Sequence, residues 1–239
     1  MNYIDLLSIL GIGGAHPGGI LLTKKIFEDT QIPLDAKILD AGCGTGQTTS
    51  FLYQLGYDIS GLDIDPKMLI HARNRNKKNN SEIPYIHEDL SNTTIHNDTF
   101  DLVLCESVLN FTPLDDTLAE ISRILKPNGL LIAIEMTKTK TTTLTEKEEM
   151  EIKSFYGCEH IYSSSEWKEK LCNHGLSVYK VLTTTELNLE VNDDPTTEFS
   201  PLESIPDHAF SLLSEHERLT IKYANKLSYC VFFSQQMKN

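Results

Sequence analysis

Paired cysteines are missing from this chain. Cys43, Cys105, Cys158, Cys172 and Cys230 form no CxxC pair and no Cys/His spacing of a metal centre. That argues against a disulfide scaffold, leaves no metal expected, and points to reduced thiols in a cytosolic protein. Positive charge is also short. Lys and Arg number 21 against 34 Asp and Glu, a formal net charge of −13. Such an excess repels duplex nucleic acid and anionic membranes at long range, so neither is expected as a partner. No run of about 18 apolar residues occurs, and no transmembrane helix is expected. The N-terminal residues lack the basic region, apolar core and cleavage site of a secretory leader. A soluble, cytoplasmic protein is therefore expected. What is present suffices for a sizeable core: 239 residues, 40% of them hydrophobic.

The chain is organised around Lys37-Ile-Leu-Asp-Ala-Gly-Cys-Gly-Thr-Gly46. Ile38 and Leu39 read as the end of a strand, and Gln47 onwards opens a helix. A strand that turns through glycines into a helix lets backbone approach a ligand where a Cβ would block it. A dinucleotide fingerprint places its glycines at x, x+2 and x+5. Here they fall at Gly42, Gly44 and Gly46, and the position that would be third is Gln47. Asp40 is also ill suited to a pyrophosphate, since like charges repel. It suits a ligand that carries an ammonium and a sulfonium. The sequence here resembles class I S-adenosylmethionine-dependent methyltransferases, whose first motif reads much like Asp40-Ala-Gly-Cys-Gly-Thr-Gly46.

From Lys37 the pattern alternates strand and helix, which implies βαβ units and a parallel sheet. Strands are expected over 37–42, 58–64, 83–90, 100–106, 130–136, 176–183 and 227–234. Helices are expected over about 46–55, from Asp65-Pro66 into the polar run 73–81, over 114–125, from 146, from a cap at Ser164 or Ser165, and over about 207–226. Arg73, Arg75, Lys77 and Lys78 read as a solvated helix end. Asn128, in Lys126-Pro-Asn-Gly129, is expected to tolerate a left-handed turn. Ahead of the first strand stand two apolar segments, 3–12 and 20–30, broken by Gly13-Gly-Ala-His-Pro-Gly-Gly19. They are read as an N-terminal helical cap over 1–34, followed by a catalytic domain over 35–239 with an insertion at about 186–226. The resemblance implies a Rossmann-like three-layer α/β/α sandwich, a mostly parallel seven-stranded sheet whose last strand runs antiparallel at the edge.

Acidic residues end four successive strands: Asp40, Asp63, Asp89 and Glu106. Ligands of open parallel sheets bind outside the carboxyl ends of the strands, so all four face one crevice. Asp63 sits where a carboxylate accepts both ribose hydroxyl protons, with Ile64 and Met68 placed for adenine, though core packing explains Met68 equally well. The resemblance puts Asp89 at the adenine amino group with the Leu90 backbone beside it, and sets Glu106 between methyl donor and acceptor. Asn110 and Phe111 follow it as pocket candidates. Glu106 and His16 are the candidate proton acceptors, and some bacterial members of the group carry a similar His-Pro-Gly-Gly stretch. Neither the Asn/Asp-Pro-Pro-aromatic pattern of adenine and amino methylation nor the Pro-Cys pair of cytosine C5 methylation is found after the fourth strand. The implied activity is methyl transfer from S-adenosyl-L-methionine, by in-line displacement, to a small-molecule acceptor. The alternative is a non-catalytic partner or sensor that binds the same cofactor. A nicotinamide oxidoreductase is disfavoured by the glycine spacing and Asp40.

Overall fold

The computed structural model describes residues 2–139, 142–187, 198–201 and 205–238. Residues 140–141 of the Thr-rich linker and 188–197 of the expected polar loop lie outside the described residues. The strands are β1 Lys37–Ala41, β2 Asp58–Asp63, β3 Tyr85–His87, β4 Phe100–Glu106, β5 Leu125–Lys138, β6 Leu176–Thr183 and β7 Leu227–Gln236. They form one sheet in the order β3-β2-β1-β4-β5-β7-β6. The order reverses between β1 and β4, which pair in parallel on one side of the turn that opens at Gly42.

The helices are α1 Tyr3–Leu10, α2 Gly19–Asp29, α3 Gln47–Gln54, α4 Pro66–Asn79, α5 Leu114–Ile124, α6 Glu146–Tyr156, α7 Ser164–Asn173, α8 Thr184–Leu187 and α9 Asp207–Tyr223. Each central strand buries alternate residues on opposite faces, as a sheet covered on both sides must. Leu39, Val103, Leu131 and Phe232 meet α5 and α7 through Leu118, Ile121, Trp167 and Leu171. Ile38, Leu102, Ile132 and Val231 meet α2, α3 and α8 through Leu22, Ile26, Leu52 and Leu187. The result is a three-layer α/β/α sandwich.

Three helices stand apart from these layers. α6 and α9 share a cluster of Ile152, Leu219 and Tyr223. α1 packs Leu6 and Leu10 against Ala209 of α9. The two leader segments therefore part company: α2 belongs to the sandwich, whereas α1 joins the outlying helices.

Several boundaries differ from the sequence reading for local reasons. β7 runs antiparallel but lies between β5 and β6 rather than at the edge. Its run Cys230-Val-Phe-Phe233 is buried throughout, and an edge strand would leave one side of it unpaired. β5 starts at Leu125, which pairs with Phe100 before the turn interrupts the ladder. Asn128 in that turn has φ 63°. The cap of α7 is Ser163, whose hydroxyl oxygen accepts from the Glu166 amide while the Glu166 side chain accepts from the Ser163 amide. Arg73, Lys77 and Lys78 are solvated, but Arg75 is not. It donates to the Thr45 carbonyl at 3.1 Å and forms a two-pronged pair with Glu198.

Candidate active site

A cavity of about 330 Å³ opens at the carboxyl ends of β1, β2 and β4. It is lined by Asp40, Gly42, Gly44, Asp63, Ile64, Met68, Asp89, Leu90, Glu106 and His16. Gly46 is not in the lining. A Cβ there would stand 2.5 Å from Tyr85 Oη and 3.0 Å from Ala72 Cβ, so this glycine lets β3 and α4 close on the start of α3. Gly42 has φ 74°, and a Cβ would meet a Val108 methyl at 2.4 Å. Gly44 has φ 53° and faces open space, its nearest neighbour being Met68 Sδ at 3.9 Å. One motif glycine thus serves packing between loops, one leaves bare backbone on the cavity, and one lets a strand and a helix pack on the start of α3.

The carboxylates are held by backbone and hydroxyl donors. Asp63 accepts from the Gly44 amide through Oδ2 and from the Asp65 amide through Oδ1, each at 2.8 Å. This fastens the end of β2 to the glycine turn. Burial raises its pKa. Asp40 is 2% exposed and accepts from Thr49 Oγ1 at 2.5 Å. Burial, and then the charge of Glu106, push its carboxyl up to about 8. Glu106 accepts from Thr23 Oγ1 at 2.5 Å and from Thr48 Oγ1 at 2.6 Å, joining α2 and α3 to the end of β4. His16 Nε2 lies 3.3 Å from Glu106 Oε2. That approach is off the line of a hydrogen bond, and both ring nitrogens of His16 are buried without a hydrogen-bond partner. Asp89 accepts from the amide and hydroxyl of Ser91 at 2.8 Å and stays near the surface.

Sequence reasoning passed over Thr23, Thr48 and Thr49, whose hydroxyls are the partners of Glu106 and Asp40. It also passed over Glu135. This carboxylate is fully buried in β5 and accepts from the Val108 and Leu109 amides at 3.1 and 2.8 Å and from Asn110 Nδ2 at 2.8 Å. Burial raises it to about 7. It fixes the loop after β4, including Ser107, a non-glycine residue at φ 61°. One signal was available: a lone acid inside the apolar run Leu130–Met136. Asn110 consequently faces Glu135 rather than the cavity, whereas Phe111 does line it. His87 is exposed and its Nε2 lies 3.0 Å from the Ile64 carbonyl.

The described lining holds three buried carboxylates and neither Lys nor Arg. Such a wall disfavours a phosphate-bearing ligand and suits one with cationic groups. Among the described residues no three His, Cys, Asp or Glu side chains come together to hold a metal ion.

Comparison with known proteins bears on the same residues. Residues 39–133 match the family model described as a methyltransferase domain. A Bacillus subtilis (strain 168) protein, the uncharacterized methyltransferase YodH, is 35% identical over 233 residues, covering 98% of each chain. The chain belongs to the class I S-adenosylmethionine-dependent methyltransferases. S-adenosylmethionine is the cofactor of this methyltransferase, and the carboxylate wall and the open face of Gly44 fit it. Solved structures agree on the fold. Phosphoethanolamine N-methyltransferase 2 of Haemonchus contortus superposes with a TM-score of 0.77 at 19% identity, covering 98% of this chain and 57% of that one. The [4+2]-cyclase SpnF superposes with a TM-score of 0.72 at 18% identity, covering 92% and 82%. Among the described residues of the methyltransferase no helix is long and apolar enough to cross a membrane.

Proposed function

We propose that this methyltransferase methylates a small-molecule acceptor, with Asp40, Asp63, Asp89 and Glu106 holding the cofactor and His16 serving the acceptor. The observation that carries this reading is the wall of carboxylates around the open face of Gly44, with the imidazole of His16, free of hydrogen bonds, at its margin beside Glu106. S-adenosylmethionine supplies a methyl group on positively charged sulfur, which the acceptor's lone pair takes by in-line displacement while the carbon–sulfur electron pair stays on the departing thioether. Asp63 would accept from the ribose hydroxyls. Ile64, Met68 and the Leu90 backbone would hold the adenine, with Asp89 for its amino group. Asp40 and Glu106, beside the Gly42–Gly44 turn, would hold the cationic end.

The chain's own catalytic work is then positioning and proton removal. Holding an acceptor atom in line with the methyl, with water excluded, is worth roughly 7–11 kcal/mol. Where the acceptor atom carries a proton, a ring nitrogen of His16 takes it. The Glu106 carboxylate 3.3 Å away stabilises the resulting imidazolium. Such a base contributes about 10²–10⁴-fold.

The test couples calorimetry of S-adenosylhomocysteine binding with an acceptor screen that follows release of S-adenosylhomocysteine. Binding with turnover on a small molecule supports the reading. Binding with persistent silence across acceptors favours the non-catalytic partner or sensor. Failure to bind removes both.

A further inference from the structure

Against the first cavity lies a second, of about 600 Å³, which the function just described leaves unused. The two share a wall that includes Ile4, Leu7, Ile12, His16, Ser107 and Phe111. Beyond that wall the second cavity is lined by residues of α1, α6 and α9 and of the start of β7. We infer that this second cavity is the acceptor site and that the acceptor is an uncharged, largely apolar small molecule. The inference rests on the methyltransferase reading of the first cavity.

Three observations carry it. The first is composition. Tyr3, Met136, Tyr156, Leu213, Leu219 and Tyr229 are typical of its surface, and no Lys, Arg, Asp or Glu is among the described lining residues. A phosphate, carboxylate or ammonium on the acceptor would lose its hydration there with no countercharge, which is costly. The second is the state of three titratable groups among those that line it, Tyr3, Tyr156 and His216. Burial, with Tyr156 adding to it, holds the Tyr3 phenol far above its ordinary value. Burial also raises Tyr156 and lowers His216. All three are neutral near pH 7, and Tyr156 Oη and His216 Nδ1 satisfy each other at 3.0 Å. The third is His16. It is 9% exposed, its Nε2 lies 3.3 Å from Glu106 Oε2, and neither ring nitrogen makes a hydrogen bond. A buried polar group left without a partner costs free energy unless a ligand supplies one. An acceptor filling the second cavity and turning one hydroxyl or amine towards the shared wall would do so. The volume lies within the range of small-molecule sites, and the wall is aromatic: Tyr3 packs on Phe155, Tyr156 and His216 with centroids 4.9–5.7 Å apart.

The experiment titrates the full chain, saturated with S-adenosylhomocysteine, with naphthol and with naphthyl phosphate as probes. Naphthol should bind, and the phosphate should bind at least about tenfold more weakly, because its charge is desolvated without a partner. Leu213→Trp, which fills the second cavity away from the first, should weaken naphthol by about tenfold or more through lost space, and leave S-adenosylhomocysteine affinity unchanged. Thr220→Trp, at the exposed rim, repeats this without a buried substitution. Equal or tighter binding of the phosphate, or naphthol affinity untouched by both tryptophans, overturns the inference while the cofactor reading stands. So does the absence of naphthol binding to a protein that binds S-adenosylhomocysteine. If S-adenosylhomocysteine itself does not bind, the reading of the first cavity falls and takes this one with it.

Discussion

The cavity at the strand ends is walled by the turns after β1, β2 and β4 and by the carboxylates that end those strands, while its neighbour draws on α1, α6 and α9, the Ile12–Pro17 loop and the start of β7. In the first, backbone amides fix the acids: Asp63 is gripped by Gly44 and Asp65. In the second, phenols and an imidazole pair with one another among aliphatic groups. The contrast separates two tasks. A cationic ligand common to a family is met by charge at positions the sheet dictates. On the proposed reading, the acceptor is met by shape and apolar surface, much of it contributed by the helices outside the sandwich.

The largest test of that division is Asp63→Ala. Losing two charge-assisted hydrogen bonds at about 1.5–3 kcal/mol each should weaken S-adenosylhomocysteine binding by about a hundredfold or more. Calorimetry should find naphthol binding little changed; a matching loss there would mean that the cavities are not separate sites. The glycines come next. Gly42→Ala forces a Cβ against Val108 at a left-handed backbone and should cost about 2 kcal/mol or more of stability in chemical denaturation. Gly44→Ala meets open space and should cost only about 1 kcal/mol of stability for its backbone angle. Its loss should appear in cofactor affinity instead. If both variants lose stability equally, the bare-backbone role of Gly44 is wrong.

A smaller effect concerns protons. Asp40 is held up at about 8, so in the ligand-free protein it keeps its proton at pH 7. A bound cation favours the ionised form. Cofactor binding should release a proton, seen as a buffer-dependent calorimetric enthalpy. Affinity should rise with pH towards about 8 and flatten above it, by no more than about tenfold per pH unit. The same shift has the opposite sign for folding. Because the native state retains a proton that the unfolded chain has lost, the contribution of Asp40 to ligand-free stability is full below its ordinary value of 3.8 and is lost as pH climbs through about 8. The smallest effect is Asn128→Gly. The left-handed angle at this turn suits glycine as well, so stability should move by no more than about 0.5 kcal/mol and neither ligand should notice.

Much of the sandwich was legible because parallel strands buried on both faces read as short apolar runs, each ended by an acid or a glycine turn. The left-handed angle of Asn128 was legible from the residue type alone. The position of β7 was not, since order within a sheet is a property of packing between distant segments. Its burial hinted at an interior place only through Val231, Phe232 and Phe233 together. The crevice residues were legible as strand ends, and the cavity does gather Asp40, Asp63, Asp89 and Glu106. Their hydroxyl partners were not, because Thr23 comes from a helix that precedes the motif and meets Glu106 only in three dimensions. Arg75 escaped for the same reason, its partner Glu198 being 123 residues away. The lining of the second cavity runs from Tyr3 to Tyr229 and has no spacing for a sequence to display.

The slot that β7 occupies sets an order on synthesis. As the chain leaves the ribosome, the residues of β5 and β6 both precede the strand that joins them. Until Leu227–Gln236 emerges, the outer rim of β5 and the inner rim of β6 are unpaired backbone. The last strand made is thus an interior one, and the second cavity, which borrows Leu227, Ser228 and Tyr229 from it, is complete only once that strand is in place.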